Sequence, residues 1–348
     1  MREIMDAMAS TRYQQLLLWL GSLDINGPLQ LEGLTRASSD ASFRQYYRLK
    51  HADTTLIVMD APPSTENNEA FIDITQRLAD QGLNVPQILA QNLDLGFLVL
   101  SDLGDLNYYH ALHQGLDNDT VQSLYRQALF SLVRLQQADT QGLPLYNAPK
   151  MLEELGLFET WYVNQHCQTE FTPTEQAQLE QCFAVLVADN TQAAQVLVHR
   201  DYHSPNLMLP QDASLQPGII DYQDAVLGPI TYDLASLVMD ARYSWDEAQQ
   251  LDWAIRYWEA AKAAQLPVNT NFADFHRAYE WMSVQRNLRI LGVFARLALR
   301  DHKPQYLDHI PRVAAYIRQV VSRYEALFPI RKLFDRLESR TTVLGVTL

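Results

Sequence analysis

Short runs of alternating apolar and polar residues dominate the N-terminal part of the chain. Residues 31–62 contain two or three such runs, separated by turn signals at Ser38-Ser39-Asp40 and His51-Ala52-Asp53. This spacing is typical of short β-strands joined by tight turns. Two more strands are predicted in VPQILAQ (residues 85–91) and in GFLVLSDLG (residues 96–104).

One helix interrupts these strands. Phe71, Ile74 and Leu78 fall at i, i+3 and i+7, which places them on one face of a helix, and Gly82 ends it. The N-terminal part is therefore predicted to consist of strands around a single helix.

Helical periodicity takes over in the remainder of the chain. An apolar stripe from Val121 to Leu135 has helical spacing, and residues 173–189 also look helical. The pattern breaks in QVLVHRDYHSPNLMLP (residues 195–210) and PGIIDYQDA (residues 217–225), which are short β-branched runs that end in polar residues. We predict a hairpin-like strand pair here, before helices resume over residues 232–327.

These elements predict an α+β fold with two lobes. A small strand-rich lobe, residues 1–102, precedes a larger and mainly helical lobe, residues 103–348. The polar turn Ser101-Asp102-Leu103-Gly104 follows a buried strand and marks the junction. Because no long linker separates the two parts, we expect them to share one interface and a cleft.

Charge and composition narrow the class of partner. The chain has 348 residues, 47% of them hydrophobic, and a formal net charge of -14. Nucleic acid and anionic membrane surfaces both require a basic footprint, so neither is expected as the main partner. An anionic ligand in a locally basic pocket remains compatible with this balance.

The cellular compartment is predicted from the cysteines and the N-terminus. Cys167 and Cys182 allow neither a disulfide framework nor a CxxC metal site, which favours free thiols in a reducing compartment. The N-terminus lacks the basic and long apolar segments of a signal peptide, and no apolar run approaches the ~18 residues of a membrane span. We expect a cytoplasmic protein.

The strongest chemical signal lies in Val196-Leu-Val-His-Arg-Asp-Tyr-His-Ser-Pro-Asn206, followed by Asp221 in Ile-Ile-Asp-Tyr-Gln. Phosphoryl transfer needs a carboxylate that orients the acceptor hydroxyl and takes its proton, and oxygen ligands that hold Mg²⁺ against phosphates. Asp201 follows an apolar strand, Asn206 lies in the same loop, and Asp221 ends the next apolar run. The same residue types also occur at strand ends for turn chemistry alone.

This pattern, H-x-D-x-x-x-x-N followed by a strand-end Asp, resembles the catalytic loop of protein kinases and, more closely, of the aminoglycoside phosphotransferase and choline kinase group. The resemblance implies a bilobal protein-kinase-like fold, with ATP and Mg²⁺ as cofactors. It implies that Asp201 is the base, that Asn206 and Asp221 bind metal, and that His199 supports the loop. Asp221 precedes Tyr-Gln rather than Phe-Gly, which favours the small-molecule kinases.

The resemblance also implies nucleotide-binding residues in the N-terminal lobe. Ser39, Ala41 and Ser42 lie where the family has a phosphate-covering loop, and small residues let backbone N–H groups approach phosphate oxygens. A plain surface turn explains them equally well. Leu100, Ser101 and Asp102 match the hinge, whose backbone pairs with an adenine edge, although the segment is also simply a buried strand.

The chain departs from the kinase pattern at the phosphate-gripping lysine. The matching strand, Thr55-Leu-Ile-Val-Met-Asp-Ala-Pro62, contains no lysine. We suggest that Arg44 replaces it, because a guanidinium can grip phosphate bidentately, with Glu69 as its partner. A solvated charge on an edge strand is the alternative.

Two aspartates follow Asp221. Asp233 lies at the start of a predicted helix, and the resemblance implies that it braces the catalytic loop. Asp224 either contacts the acceptor or only keeps the loop hydrated.

Several longer segments resemble the anomeric N-acetylmuramate/N-acetylglucosamine 1-kinases of bacterial cell-wall recycling. They are Ser39-Asp-Ala-Ser-Phe-Arg44, Val58-Met-Asp-Ala-Pro-Pro63, Glu153-Glu-Leu-Gly-Leu-Phe-Glu-Thr-Trp-Tyr162 and Gln285-Arg-Asn-Leu-Arg-Ile-Leu-Gly-Val-Phe-Ala-Arg296 with Arg300-Asp-His-Lys303. The resemblance covers residues 35–315. It implies transfer of phosphate from ATP to the anomeric hydroxyl of an amino sugar, giving the α-1-phosphate in peptidoglycan recycling.

An arginine stripe bears on the acceptor. Arg286, Arg289, Arg296 and Arg300 fall within a narrow arc of an otherwise apolar predicted helix, and such a stripe needs an anionic counterpart. The lactyl carboxylate of N-acetylmuramate is one candidate, and the protein's own carboxylates are the other. Trp161 could stack on a sugar face, or belong to the core.

Other functions stay open on the residues alone. A kinase of the same fold with an aminoglycoside, choline or another alcohol as acceptor fits the catalytic loop. A non-catalytic nucleotide-binding module is suggested by the missing lysine, although Asp201, Asn206 and Asp221 are all present. A metal-dependent hydrolase has no His-rich ligand set to support it. The oligomeric state and the preference between the two sugars are not predicted.

Overall fold

The computed structural model describes residues 2–37 and 44–343. The chain forms two compact units, which we call the N-terminal unit (Met1–Asp105 with Gly218–Asp224) and the C-terminal unit (Leu106–Pro217 with Ala225–Leu348). The sequence placed residues 218–224 in the C-terminal lobe.

Three contacts explain why residues 218–224 cluster with the N-terminal unit. The backbone N–H of Ile219 donates to the carbonyl of Asn84 at 2.8 Å. The ring of Tyr222 stacks on Phe71 with centroids 5.5 Å apart, and its hydroxyl lies 2.8 Å from the hydroxyl of Thr75.

The strands, in chain order, are β1 (Thr35–Arg36), β2 (Gln45–His51), β3 (Thr54–Asp60), β4 (Ile88–Asn92), β5 (Phe97–Ser101), β6 (Gln195–Val198), β7 (Leu207–Met208), β8 (Gly218–Ile219) and β9 (Val226–Pro229). The first five form one antiparallel sheet in the order β1-β2-β3-β5-β4. The turn from β2 to β3 includes Ala52 at φ +49°. β5 lies between two neighbours, and four of its five residues are buried.

The helices are α1 (Arg2–Gly21), α2 (Asn68–Asp80), α3 (Tyr108–Gln114), α4 (Asn118–Leu135), α5 (Ala148–Leu157), α6 (Pro173–Gln192), α7 (Tyr232–Val238), α8 (Glu247–Ala263), α9 (Phe272–Leu299), α10 (Ile310–Val321) and α11 (Phe328–Val343). Within the described residues, none of them is long and apolar enough to cross a membrane. A strand-rich unit and a mainly helical unit confirm the predicted α+β class.

The described residues of the N-terminal unit form two α-helices, so the prediction of a single helix there was wrong. The missed helix is α1, whose Leu16 and Leu20 are fully buried in one apolar cluster with residues of the sheet, among them Leu49 and Val58. Leu16 and Leu20 are four residues apart, which is helical spacing, but polar residues among the apolar ones obscured the stripe.

Helix α2 matches its predicted pattern. It begins after Asn67, whose side chain accepts the N–H of Ala70 at 3.0 Å. Phe71, Ile74 and Leu78 are all buried. Gly82 follows the helix at φ +64°, a conformation that glycine adopts without steric cost.

In the C-terminal unit β6 pairs antiparallel with β9. The run directly before Asp201 was expected to pair with the run before Asp221, but β6 has a different partner. The partner of β6 follows Asp221 in the chain, because Val226 to Pro229 supply the backbone groups that pair with Gln195 to Val198.

Helix α9 approaches the chain very closely where α5 continues into a π-helix, Phe158–His166. A Cβ atom on Gly292 would lie 2.4 Å from the carbonyl oxygen of Leu157 and 2.7 Å from the amide nitrogen of Phe158. Both atoms belong to the backbone, so they cannot rotate away. Glycine at this position therefore sets how closely α9 packs.

We expect Gly292→Ala to lower the free energy of unfolding by about 3 kcal/mol, because the added methyl group overpacks a backbone contact. The gain in helix propensity, about 1 kcal/mol, is smaller than this cost. Gly156→Ala is the matched control, since no atom lies within 4 Å of its added Cβ in α5, and it should stabilise. Urea denaturation of both variants tests the prediction, and equal effects would contradict it.

Candidate active site

The loop after β6 carries Asp201, and its first turn is held by Asp233. Arg200 has φ +76°, a conformation that is costly for a residue with a side chain. The carboxylate of Asp233, buried in the first turn of α7, accepts the N–H of His199 at 2.7 Å and the N–H of Arg200 at 3.0 Å. These two hydrogen bonds hold the strained turn that precedes Asp201.

His199 lies beneath the same turn. Its side chain is 1% exposed, and its ring meets that of Tyr202 edge-on, with centroids 5.8 Å apart. Its Nδ1 atom accepts the backbone N–H of Asp201 at 3.3 Å. The histidine therefore contacts the loop from the interior.

The other end of the loop is fixed by Asp240 and Asn206. The buried carboxylate of Asp240 accepts the hydroxyl of Ser204, the N–H of Ser204 at 2.9 Å and the N–H of Arg242 at 2.8 Å. The side-chain Nδ2 of Asn206 donates to the carbonyl of Asp201 at 3.0 Å. This bond orients the carboxamide of Asn206.

Asp201 is held in its ionised form by its surroundings. Its side chain is 40% exposed. Burial raises the pKa of the carboxyl, but the cationic Arg289, with a further contribution from Arg286, more than offsets that effect. The pKa of Asp201 therefore lies well below its ordinary value. The loop presents an accessible carboxylate.

A buried carboxylate, Glu154, lies beside this loop. Its Oε1 atom is 2.6 Å from Nη2 of Arg200 and 3.3 Å from Nε of Arg289, and its Oε2 atom accepts the hydroxyl of Tyr146 at 2.5 Å. The side chain of Glu154 is 4% exposed. Glu154 thus links α5 to the strained residue before Asp201 and to α9.

The four arginines of the predicted stripe divide between the interior and the surface. Arg286 is buried, Arg289 pairs with Glu154, Arg296 is half-buried, and Arg300 pairs with Asp301 at the surface. The counterpart proposed from the sequence, a carboxylate of the protein, is therefore present for Arg289 and Arg300.

His203 is a second buried histidine in this loop. It is 7% exposed, and its Nε2 atom lies 3.8 Å from Oδ1 of Asp201. Burial, with Arg242 next in importance, lowers its pKa to about 3, whereas Asp240 opposes that shift. The imidazole is therefore neutral in the folded protein.

Because His203 has a lower pKa in the folded than in the unfolded chain, its contribution to stability is complete above pH 6.5 and is lost as pH falls from 6.5 towards 3. We expect His203→Gln to reduce the slope of unfolding free energy against pH over this window by up to about 1.4 kcal/mol per pH unit. His110→Gln, at an exposed position, is the control. An unchanged slope in His203→Gln, measured by urea denaturation at several pH values, would contradict this.

In the N-terminal unit Arg44 forms an ion pair, but its partner differs from the predicted one. Nε of Arg44 lies 3.0 Å from Oε2 of Glu66, whereas the predicted Glu69 is exposed. Both glutamates line a cavity of about 440 Å³ near the start of α2. Arg44 is 6% exposed, so the alternative of a solvated edge-strand charge is wrong.

Arg44 and Asp221 both act on the same tyrosine. Burial raises the pKa of Tyr46 to about 12, Arg44 lowers it, and Asp221 raises it further. Asp221 is exposed, has φ +66°, and accepts Nε2 of Gln223 at 3.0 Å. A cation and a carboxylate of this unit therefore act on the same buried hydroxyl.

The predicted hinge residues are partly engaged in the sheet. Leu100 is paired on both sides, with Ile57 and Ile88, and the N–H of Ser101 donates to the carbonyl of Gln87 at 2.9 Å. The backbone groups of these two residues that already form hydrogen bonds within the protein are not available to pair with a nucleotide.

The side chain of Asp102 serves a structural contact. Its carboxylate accepts Nε of Arg48 at 2.5 Å, the hydroxyl of Thr55 at 2.7 Å and the N–H of Gly104 at 2.9 Å. These bonds fix the chain at the end of β5.

The other residues predicted to bind the nucleotide or the acceptor differ in exposure, and some of them are not described. Ser39, Ala41 and Ser42 lie outside the described residues. Trp161 is half-buried in the π-helix, and Asp224 is exposed.

Sequence reasoning missed Glu66, Glu154, His203 and Asp240. Glu154 and His203 stand in segments that were recognised, and a charged residue within an apolar segment is the signal that could have identified Glu154. No local pattern distinguishes Glu66 from Glu69.

Comparison with known proteins identifies the family. A model described as the phosphotransferase enzyme family matches residues 33–281. The chain is 40% identical over 334 residues to the N-acetylmuramate/N-acetylglucosamine kinase of Pseudomonas aeruginosa, covering 94% of this chain and 97% of that protein. It is 42% identical over 306 residues to the protein of the same name from Neisseria meningitidis, covering 87% and 90%.

Solved structures with the same fold are more distant in sequence. A putative aminoglycoside phosphotransferase from Ralstonia eutropha has a TM-score of 0.62 at 14% identity, covering 93% of this chain and 98% of that one. The ADP-bound aminoglycoside phosphotransferase APH(2'')-Ib has a TM-score of 0.56 at 12% identity, covering 88% and 97%. These similarities confirm the protein-kinase-like fold.

Proposed function

Because this chain belongs to the phosphotransferase enzyme family, we propose that it is an ATP- and magnesium-dependent kinase of amino sugars. It transfers the terminal phosphoryl group of ATP to the anomeric hydroxyl of N-acetylmuramate and N-acetylglucosamine. The relatives at about 40% identity, all named as kinases of these two sugars, support the choice of acceptor.

One observation carries the catalytic part of the proposal: Asp201 is an accessible, ionised carboxylate on a loop fixed at both ends. Asp233 holds the turn before it, and Asp240 holds the turn after it. A rigid carboxylate is what phosphoryl transfer requires of a protein, since catalysis of this reaction is mostly positioning and electrostatic stabilisation.

The low pKa of Asp201 defines its role in the reaction. A carboxylate with a depressed pKa is a weak base, and it does not remove the proton of the acceptor hydroxyl before phosphoryl transfer begins. It accepts a hydrogen bond from the acceptor hydroxyl and aims the oxygen at the phosphorus atom. The proton passes to Asp201 only as the new O–P bond forms and the bond to the leaving ADP breaks, which suits a loose transition state.

Asn206 and Asp221 would hold Mg²⁺. Amide and carboxylate oxygens are hard ligands that suit this ion, which binds through one or two protein groups together with phosphates and water. The hydrogen bond from Nδ2 of Asn206 to the carbonyl of Asp201 fixes the carboxamide, whose oxygen has the chemistry of a magnesium ligand. When bound, the ion supplies neutralisation of phosphate charge.

Arg44 is the proposed phosphate-binding cation. It is buried, paired with Glu66 as a kinase lysine is paired with a glutamate, and close enough to Tyr46 to act on its pKa together with Asp221. Ser39, Ala41 and Ser42 would cover the phosphates. Since the N–H of Ser101 is already bonded, backbone pairing with adenine would begin at Asp102.

The charges near Asp201 favour an amino sugar over a polycationic aminoglycoside. Arg286 and Arg289 both act on the pKa of Asp201, so the acceptor side of this loop carries positive charge. A polycation would be repelled there, whereas a neutral or acidic sugar would not.

The test is an ADP-release assay against free sugars, aminoglycosides and choline, with phosphorus NMR of the product. We expect turnover with N-acetylmuramate and N-acetylglucosamine, and a product signal typical of a glycosyl 1-phosphate. Turnover with an aminoglycoside or choline and none with either sugar would overturn the proposal. A product that carries the phosphate on another hydroxyl would overturn its anomeric part.

A further inference from the structure

The guanidinium of Arg286 is buried without a hydrogen-bond partner for two of its nitrogens. The residue lies within α9 and is 2% exposed, and neither Nε nor Nη1 has a partner. Burying a charged group in this way costs several kcal/mol unless something compensates it. A group of this kind is understandable where a ligand supplies the missing acceptor.

Three buried carboxylates around the catalytic loop in the C-terminal unit are engaged elsewhere. Asp233 binds two backbone N–H groups, Asp240 binds Ser204 and the backbone of Arg242, and Glu154 is shared by two other arginines and a tyrosine. No ion pair within 4.0 Å joins Arg286 to any carboxylate among the described residues.

The remaining acidic neighbour is Asp201, the proposed base. Burial lowers the pKa of Arg286, and Asp201 is among the groups that raise it. Arg286 in turn lowers the pKa of Asp201. The helix register places Arg286 beside the same loop, because it lies one turn before Arg289 on α9. Arg289 shares the carboxylate of Glu154 with Arg200, the residue before Asp201. A ligand that bonds to Asp201 therefore has the guanidinium of Arg286 nearby.

The arrangement sets a requirement on the acceptor. A molecule whose hydroxyl hydrogen-bonds to Asp201 would gain most from Arg286 if it also carried an anionic oxygen pair, because a guanidinium binds a carboxylate bidentately. Of the two proposed acceptors, N-acetylmuramate differs from N-acetylglucosamine by an acidic lactyl ether. The lactyl carboxylate, which only N-acetylmuramate carries, is thus the kind of acceptor that the unpartnered guanidinium of Arg286 lacks.

We propose that Arg286 is a specificity-determining residue that binds the carboxylate of the lactyl group of N-acetylmuramate. This inference rests on the proposed function and deepens it. Arg289, whose guanidinium is already paired with Glu154, positions the site but does not discriminate between the two sugars.

The test compares kcat/KM for N-acetylmuramate and for N-acetylglucosamine in the wild-type protein, in Arg286→Met and in Arg286→Lys. We expect the ratio of the two values to fall by about 10- to 100-fold in Arg286→Met, the size of a lost charged hydrogen bond, and mainly through KM for N-acetylmuramate. Arg286→Lys keeps the charge but not the bidentate geometry, so its ratio should be intermediate.

Two controls make the test specific. Arg300→Met removes an exposed arginine of the same helix that is paired with Asp301, and its ratio should match that of the wild type. The methyl ester of N-acetylmuramate lacks the charge, so the wild-type protein should use it less well than the free acid, and Arg286→Met should treat both alike.

The outcomes separate this inference from the proposed function. Wild-type protein inactive on both sugars would overturn the proposed function. An active wild type with equal losses on both sugars in Arg286→Met, through kcat, would overturn only the inference and would place Arg286 at the phosphoryl group. If Arg286 has no internal partner, its replacement should also not lower the melting temperature, and a marked decrease would contradict a ligand-binding role.

Discussion

Replacement of Asp201 by asparagine is expected to lower kcat by about 10²- to 10⁴-fold, the range that a positioned acid–base group contributes. Asparagine keeps the size of the side chain but cannot accept the proton as the O–P bond forms. Affinity for Mg·ATP should change little, because the ligands proposed for the nucleotide and metal are other residues. Steady-state ADP release and equilibrium binding of a fluorescent ATP analogue measure the two effects.

The matched control for this variant is Asp212→Asn, which alters an exposed aspartate of the same unit whose carboxylate accepts hydrogen bonds from the backbone and side chain of Ser214. It should leave kcat within about twofold of the wild type, as is usual for surface substitutions. A kcat in Asp201→Asn close to that of the control would remove Asp201 from its proposed role. A loss of nucleotide affinity as large as the loss of kcat would instead show that the loop itself had moved.

The catalytic loop could be predicted from the sequence because its chemistry is local. Asp201 and Asn206 lie five residues apart, and the hydrogen bond between them is made within the loop. The α+β class could be predicted for the same reason: strand and helix periodicities are properties of short segments. The helical face of Phe71, Ile74 and Leu78 needed only their spacing.

The contacts that support the loop could not be predicted in this way, because they join distant parts of the chain. Glu154 contacts Arg200 across 46 residues, and no periodicity records that separation. The choice of Glu66 over Glu69 as the partner of Arg44 depends on where α2 begins relative to the sheet. Helix boundaries are poorly determined by sequence, and an error of one turn changes which side chain is in reach.

The placement of residues 218–224 could not be predicted from the sequence either, because it also depends on contacts between distant parts of the chain. Their short apolar run predicted a strand beside β6, but pairing partners depend on the three-dimensional arrangement. The stacking of Tyr222 on Phe71 and its hydrogen bond to Thr75, 147 residues away, place the segment with the N-terminal unit. An aromatic residue in a short run gives no indication of which surface it will pack against.

Replacement of Asp233 by asparagine is expected to lower both stability and turnover. Asparagine has one acceptor oxygen where the carboxylate has two, so the N–H of either His199 or Arg200 would face an amide NH₂ group. Leaving a buried donor unsatisfied costs about 1–3 kcal/mol. The turn at Arg200 would relax from its φ of +76° and displace Asp201, and we expect kcat to fall by about 100-fold.

A double-mutant cycle with Arg200→Gly isolates this mechanism. Glycine adopts a positive φ without cost, so Asp233→Asn should destabilise the Arg200→Gly protein less than the wild type. The ion pair between Arg200 and Glu154 is absent from both proteins that carry Arg200→Gly and present in the other two, so its loss cancels when the two effects of Asp233→Asn are compared. Additive effects on the unfolding free energy, measured in urea, would show that Asp233 does not act by holding the strained turn.

The pH dependence of turnover gives a second measure of the same contact. Burial, opposed by His199, raises the pKa of Asp233 to about 6. Below that pH the carboxyl of the folded protein gains a proton and loses one acceptor, whereas Asp201 stays ionised because its pKa is depressed. We therefore expect wild-type kcat, measured at saturating substrates, to fall below pH 6, and Asp233→Asn to lack this acidic limb. An identical limb in both proteins would assign it to another group, such as the phosphates of ATP.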